Sequence, residues 1–587
     1  MLSNARPREV KRLAVSISPE TSIASLNDFA KPITEVISGS TKFVNGLTTD
    51  KPARTVESVD IDHLFPKKQH VGIMVTINHA LHNPCESMSI DEALERLRTP
   101  EPIAFIDIRS RHHYVANHPV FAVNAPIDSL ETHCDTLFGS ESATALVIGD
   151  DELLTTWASH LITQKTNLQP KVIRGGFSAW EAAGLPTWGG EYTPSKAFGE
   201  WVEQTGSMSH ISPLEAMKSP VHDQFDVRPL EEFNRFTLPG SRHCPTGRLG
   251  ALKTQQTHLR VHCAGRTRGI IAAQTLVDLD FPATIQCISG GTQGWEIAGG
   301  TRQFNHPTEQ VDLIPSGEEN SRAQVLIKKY HLPIFTATEE VAWLNESRDF
   351  RLLTVCEDPL DTPSISPTTL IQSTDQYLGT HHIPVIVEGP HALDVSVTVL
   401  WLRRMGWDAR IRETNATASQ TTHEISAQQS AFVKIEDHCT VIDTRPSRSF
   451  SRSRVQNSSW VPRSLFRELL PTVTYVVICE TDATKRQTAI LLAWLGIEQA
   501  TCISWQEVSP DLIDHSHIQH RTHPVDQPLF FPNRHHGNLE DAKGYLHWEH
   551  SLLPTLTQHG QIPWAPITQT PTQPQSHLTE FYQGVHR

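Results

Sequence analysis

No stretch of this 587-residue chain approaches the roughly 18 apolar residues that a membrane-spanning helix requires, so an integral membrane protein is not expected. Positive charge does not dominate either. Fifty Lys and Arg against 65 Asp and Glu leave a net charge of −15, which repels polyanions and argues against nucleic acid as a partner. Cysteine is sparse: nine residues, an odd number without framework spacing, argue against a disulfide-stapled secreted protein and for a reducing, cytoplasmic compartment. Arg6, Arg8, Lys11 and Arg12 precede no apolar stretch, so a secretory signal is not expected and a mitochondrial presequence is the minor alternative. The 32 His do not join Cys or carboxylates at metal-ligand spacing. Pairs such as His112-His113, His381-His382 and His535-His536 are therefore expected at the surface, and no metal is expected.

What the chain does have is length and internal repetition. At about 150 residues per domain it should hold roughly four units. The segment GGFSAWEAAG at Gly175 to Gly184 returns as GGTQGWEIAG at Gly290 to Gly299. An apolar strand ending in Asp-x-Arg occurs at Asp107/Arg109, Asp226/Arg228 and Asp443/Arg445. A second apolar run leading into a helical pattern occurs four times, beginning near Ala145, Leu259, Pro384 and Tyr475. Alternating strands and helices predict an α/β fold with small parallel sheets flanked by helices. The expected organisation is an N-terminal arm over 1–85 without legible function, four copies over 86–190, 209–300, 322–415 and 424–510, and a tail over 511–587. Leu539, Ala542, Leu546 and Leu553 predict one tail helix, expected to pack on the fourth copy, and His70 to Leu81 could dock as a further strand.

The most specific chemical signal is Val261-His262-Cys263-Ala264-Gly265-Arg266-Thr267-Arg268-Gly269, between a strand and a helix beginning near Ile270. It resembles the active loop of the rhodanese family, in which a strand delivers a nucleophilic Cys into a six-residue turn. A helix N-terminus, converging backbone N–H groups and two Arg stabilise a thiolate and attract an anionic sulfur donor. The resemblance implies Cys263 as nucleophile and Ala264, Gly265, Arg266, Thr267, Arg268 and Gly269 as the substrate-binding loop. Asp226 and Arg228 are expected to brace the domain. Cysteine-dependent phosphatases on a related fold place five residues between Cys and Arg; only four intervene here, which disfavours phosphoryl chemistry.

The other copies differ at the corresponding loop. Gly149 stands at the cysteine position of the first, followed by Asp150, Asp151 and Glu152, and Glu388-Gly389-Pro390 replaces the loop of the third. The fourth keeps Cys479, but Glu480 and Asp482 are expected to raise its thiol pKa, which reads as a structural or vestigial cysteine with a secondary sulfur-carrying role as the alternative. From about residue 86 onward the chain resembles four-domain rhodanese-related sulfurtransferases. That resemblance implies transfer of sulfane sulfur from an anionic small molecule (thiosulfate or a persulfide) through a Cys263 persulfide to a thiol or cyanide-type acceptor, with no cofactor. The alternative is a non-catalytic scaffold of rhodanese modules in which Cys263 acts as a redox sensor. Oligomeric state is not legible in the sequence.

Overall fold

The computed structural model describes residues 85–219, 223–306, 310–357, 363–413, 432–433, 435–436, 438–518, 524–567 and 576–585. Nearly all of the N-terminal arm, with the strand considered over His70 to Leu81, lies outside the described residues. Among those residues no helix is long and apolar enough to cross a membrane, and all nine cysteines are free.

Among the described residues the strands form four sheets of four to six strands and two small two-stranded sheets. The four larger sheets follow one plan. Each contains a central strand, a covering helix and a parallel return strand: Thr144–Ile148, Glu152–Lys165 and Gln169–Ile173 in the first. The second uses His258–His262, Thr267–Asp278 and Thr284–Ile288. The third uses Pro384–Glu388, Ala392–Arg404 and Asp408–Arg412, and the fourth Tyr475–Cys479, Asp482–Trp494 and Ala500–Ser504. The four apolar runs seen in the sequence are these central strands. Three of them read as nearly unbroken apolar segments, as strands covered by helices on both faces do, whereas the second, His258–His262, alternates polar and apolar residues.

A hydrogen-bond pattern recurs at the strand ends. Arg109, Arg228 and Arg445 each clamp the Asp two residues before, with Nη2–Oδ2 distances of 2.6, 2.8 and 2.8 Å. Each also donates from Nη2 to the carbonyl eight residues on, at Asn117, Phe236 and Ser453. Asp226 illustrates the balance. Burial would raise its pKa, but His262 and Arg228 together hold it well below the usual carboxylate range.

One apolar core runs through the first three sheets and the tail. Strand Thr380–His381 pairs antiparallel with Ile103–Asp107 of the first sheet. Arg248 forms ion pairs with Glu319 (3.0 Å) and Asp394 (3.4 Å), tying the second sheet's surroundings to the third, and Arg463 pairs with Glu131 at 2.6 Å, tying the fourth to the first. The tail holds a second helix, His577–Gly584, where one was expected; the expected one spans Leu539–His559. It does not pack on the fourth copy as expected: its neighbours are the helices Thr193–Thr205 and Gly291–Ile297, so its apolar side completes the surroundings of the second sheet. One histidine in each of two pairs is also drawn in from the surface, while His536 stays exposed. His381 is buried, stacked on Trp407 at 4.7 Å, and His535 is partly buried, where desolvation lowers its pKa to about 3.

Candidate active site

Cys263 follows directly on the strand His258–His262, which pairs on one side with Asp223–Asp226 and on the other with Thr284–Ile288. The strand end is fixed when the Val227 N–H donates to the His262 carbonyl at 3.0 Å. The next turn is shaped by the Gly290-Gly291 segment. Thr292 and Gln293 donate their backbone N–H groups to the carbonyls of Cys263 (2.9 Å) and Ala264 (3.0 Å), so these carbonyls point away from the turn's interior. Gly291 has φ +55°, and an added Cβ would lie 2.2 Å from the Cys263 carbonyl, so only glycine lets the two segments approach this closely. Gly176 repeats this arrangement at the Gly149 carbonyl, where its own added Cβ would lie 2.0 Å away.

The helix Thr267–Asp278 starts at Arg266 with no side-chain cap. Its first N–H groups face the turn, which makes a favourable place for negative charge. Cys263 is 3% exposed and forms part of the floor of a cleft of about 330 Å³. Ala264, Gly265, Arg268 and Arg228 also line that cleft. Arg266, Thr267 and Gly269 do not.

The two loop arginines have different partners. Arg268 donates to Glu232 at 2.6 and 3.0 Å while lining the cleft. Burial would raise the Glu232 carboxyl, but Arg268 draws it down to about 2. Arg266 turns away from the cleft to Glu200, at 2.6 and 3.0 Å, and to Glu203. Its positive charge is spent on fixing the loop to the helix Thr193–Thr205. Glu200, Glu203 and His550 come close enough together to suggest a metal site, but the Arg266 guanidinium bonds both carboxylates.

Residues far away in sequence complete the site. Lys196, 8% exposed, lines the cleft and lies 3.1 Å from Oε1 of the fully buried Glu549. Burial would lower the Lys196 pKa, but Tyr545, Glu549 and Cys263 raise it, so the ammonium remains charged in the cleft that Cys263 also lines. Tyr545 donates to Glu549 Oε1 at 3.1 Å. An added Cβ at Gly265 would lie 2.9 Å from Glu549 Oε2, so the glycine in the turn permits the tail helix to close over it. Lys196 lies in the segment between the first two expected copies, and Glu549 in the tail. The only sequence signal was a lysine beside the apolar pair Ala197-Phe198 and a glutamate after Trp548.

The corresponding positions elsewhere are different. In the fourth sheet, Cys479 is fully buried, with its thiol 3.8 Å from the Val477 carbonyl and from Thr444 Oγ1. Burial would raise this thiol, but the Cys502 thiol, Thr444 and Arg463 draw it below the usual value, while Asp482 is held by Lys485 at 3.0 Å. The expectation that neighbouring acids raise Cys479 is thus overturned. Asp482 is paired with Lys485, and the Cys502 thiol and the Thr444 hydroxyl donate to the sulfur.

Residues 214–298 match the family model of the rhodanese-like domain. The rhodanese-like domain therefore spans the strand Asp223–Asp226, the Cys263 turn and the Gly290-Gly291 brace. Among solved structures, a thiosulfate sulfurtransferase from Pseudomonas aeruginosa aligns with a TM-score of 0.70 and 21% identity, over 81% of this chain and 98% of that one. At that identity the likeness shows the fold. The Alr3790 protein from Anabaena sp. aligns at 28% identity over 17% of this chain and 81% of its own, with a TM-score of 0.16. A rhodanese-related protein from Thermoplasma volcanium aligns at 20% identity over 16% of this chain and 99% of its own, with a TM-score of 0.15. A comparison with curated protein sequences finds no match.

Proposed function

We propose that the protein is a rhodanese-type sulfurtransferase that carries sulfane sulfur on Cys263. The observation that carries this reading is the placement of one cysteine on the floor of a cleft, at an uncapped helix N-terminus, with the neighbouring carbonyls tied back and a charged lysine lining the same cleft. These features suit the negative terminal sulfur of a persulfide held in the turn. In the first half-reaction the Cys263 thiolate attacks the outer sulfur of the donor. The donor's bond to that sulfur breaks, and its electron pair leaves with the sulfite or thiolate. In the second, a thiol or cyanide-type acceptor takes the sulfur and the pair returns to Cys263. Ala264, Gly265 and Arg268 contact the donor, Arg266, Thr267 and Gly269 hold the turn, and Asp226 with Arg228 braces the strand end beneath it.

The chain is read as four tandem rhodanese-like domains over 86–190, 209–300, 322–415 and 424–510, the second catalytic. Four repeated strand–helix–strand units and the threefold Asp–Arg clamp support this. Nine free thiols support a cytoplasmic location. The test is the intact mass of the purified protein before and after thiosulfate. A gain of one sulfur, removed by cyanide or a thiol, is expected; an unchanged mass with every sulfane donor would overturn the reading.

A further inference from the structure

The cleft above Cys263 is larger than an inorganic donor needs. Its volume of about 330 Å³ lies within the roughly 300–1,000 Å³ of small organic ligand sites, well beyond a single tetrahedral anion. Charge is distributed unevenly along it. Three of its cations are already matched: Arg228 by Asp226 at 2.8 Å, Arg268 by Glu232 at 2.6 Å and Lys196 by Glu549 at 3.1 Å. Arg235 and Arg534 also line the cleft, Arg235 exposed and Arg534 partly buried. Neither forms an ion pair among the described residues. Arg534 donates only to the carbonyls of Phe530 (2.7 Å) and Phe531 (3.0 Å), with its guanidinium 4.5 Å from the centre of the Tyr545 ring.

A third feature lies deeper. Gln293 lines the same cleft and is 1% exposed, yet neither Oε1 nor Nε2 has a hydrogen-bond partner. A buried side-chain amide is normally satisfied. One that faces a cleft offers an acceptor and a donor side by side, which matches another amide. Phe236, Phe530 and Trp548 supply apolar wall between these polar points.

We propose that the sulfur donor of this site is the persulfide of a small peptide thiol, with its terminal sulfur at Cys263, an amide paired with Gln293 and a carboxylate on Arg534 and Arg235. This rests on the sulfurtransferase reading above. The Cys263 thiolate attacks the terminal sulfur of R–S–SH, a new S–S bond forms at Cys263, and the S–S bond of the donor breaks. The electron pair and the proton leave together as R–SH, with no net oxidation.

The experiment compares loading of the full-length protein by glutathione persulfide, by the same persulfide with esterified carboxylates, and by thiosulfate. Intact mass and kcat/KM are the readouts. Glutathione persulfide should exceed thiosulfate at least tenfold in kcat/KM, and esterification should remove at least fivefold of that advantage. Arg534→Ala and Gln293→Ala should each lower the ratio of the two efficiencies at least fivefold, with Arg534→Lys restoring part of it. Equal efficiencies for thiosulfate and the peptide persulfide, or variants that weaken both donors alike, would overturn this inference while leaving sulfur loading intact. Failure of every donor to load Cys263 would instead overturn the sulfurtransferase reading on which it depends.

Discussion

Cys263 and Cys479 both sit at the carboxyl end of a central parallel strand, immediately before a covering helix, yet only one of them meets a cleft. Around Cys263 the turn is opened by glycine, its carbonyls are drawn off by the Gly291–Ile297 helix, and a lysine from a distant helix lines the same cleft. At Cys479 the thiol is in the wall of the sheet, 0% exposed, and the following helix is closed by its own Thr481–Thr484 capping box. The difference teaches that position in a repeat does not make a nucleophile. Access and an uncapped helix start do, and Cys479 has neither, although its buried neighbours draw its thiol below the usual value.

The largest expected contrast is substitution of the two cysteines. Cys263→Ser should abolish sulfur loading without unfolding the protein, because a neutral hydroxyl does not carry sulfane sulfur, whereas Cys479→Ser should keep most of the wild-type rate. Loading measured by mass and folding by circular dichroism check both. A large rate loss in Cys479→Ser would break the comparison.

Next in size is the Lys196 ammonium in the cleft. Lys196→Met should slow loading about 10- to 100-fold, since a charged hydrogen bond in a partly desolvated site contributes about 1.5–3 kcal/mol. Single-turnover rates with one donor measure this. An unchanged rate would show that the ammonium only holds Glu549.

The two loop arginines separate stability from chemistry. Arg266→Ala removes the partner of the buried Glu200, and breaking such a pair costs about 3–5 kcal/mol, at the lower end here because His550 remains 3.1 Å from the carboxylate. Its effect should therefore be a lowered Tm. Arg268→Ala, at the cleft, should lower kcat/KM for anionic donors about tenfold with a smaller change in Tm. Thermal unfolding and kinetics on both variants distinguish these roles, and equal Tm losses would contradict the division.

The smallest effect belongs to a control outside both loops. Burial pushes the Asp375 carboxyl up to about 7, against roughly 3.9 in an unfolded chain. A group raised on folding contributes stability that is fully present below the unfolded value and lost as pH rises through the folded one. Asp375→Asn should therefore raise Tm at pH 8 more than at pH 5, with sulfur loading little changed.

The α/β class and the strand–helix alternation were legible because parallel strands covered on both faces appear as unbroken apolar runs, as at Ala145–Ile148 and Tyr475–Ile478. The Cys263 turn was legible because its pattern is local. Lys196, Tyr545 and Glu549 were not, since their meeting depends on where the helices Thr193–Thr205 and Leu539–His559 dock, a matter of long-range burial that local periodicity does not encode. The same reason misplaced the tail on the fourth copy. The charge at Arg266 was read from its identity alone, while its partner Glu200 lies 66 residues upstream. For Cys479, the nearby acids were visible in sequence but the buried donors around the sulfur were not.

The central claim is that Cys263 alone among the repeated loops is equipped to carry sulfur. Its most direct test is peptide mapping of the full-length protein after treatment with less than one equivalent of sulfane donor per chain. The account predicts a persulfide on the peptide containing Cys263 and an unmodified Cys479. Persulfide found in equal or greater amount on Cys479 would contradict it.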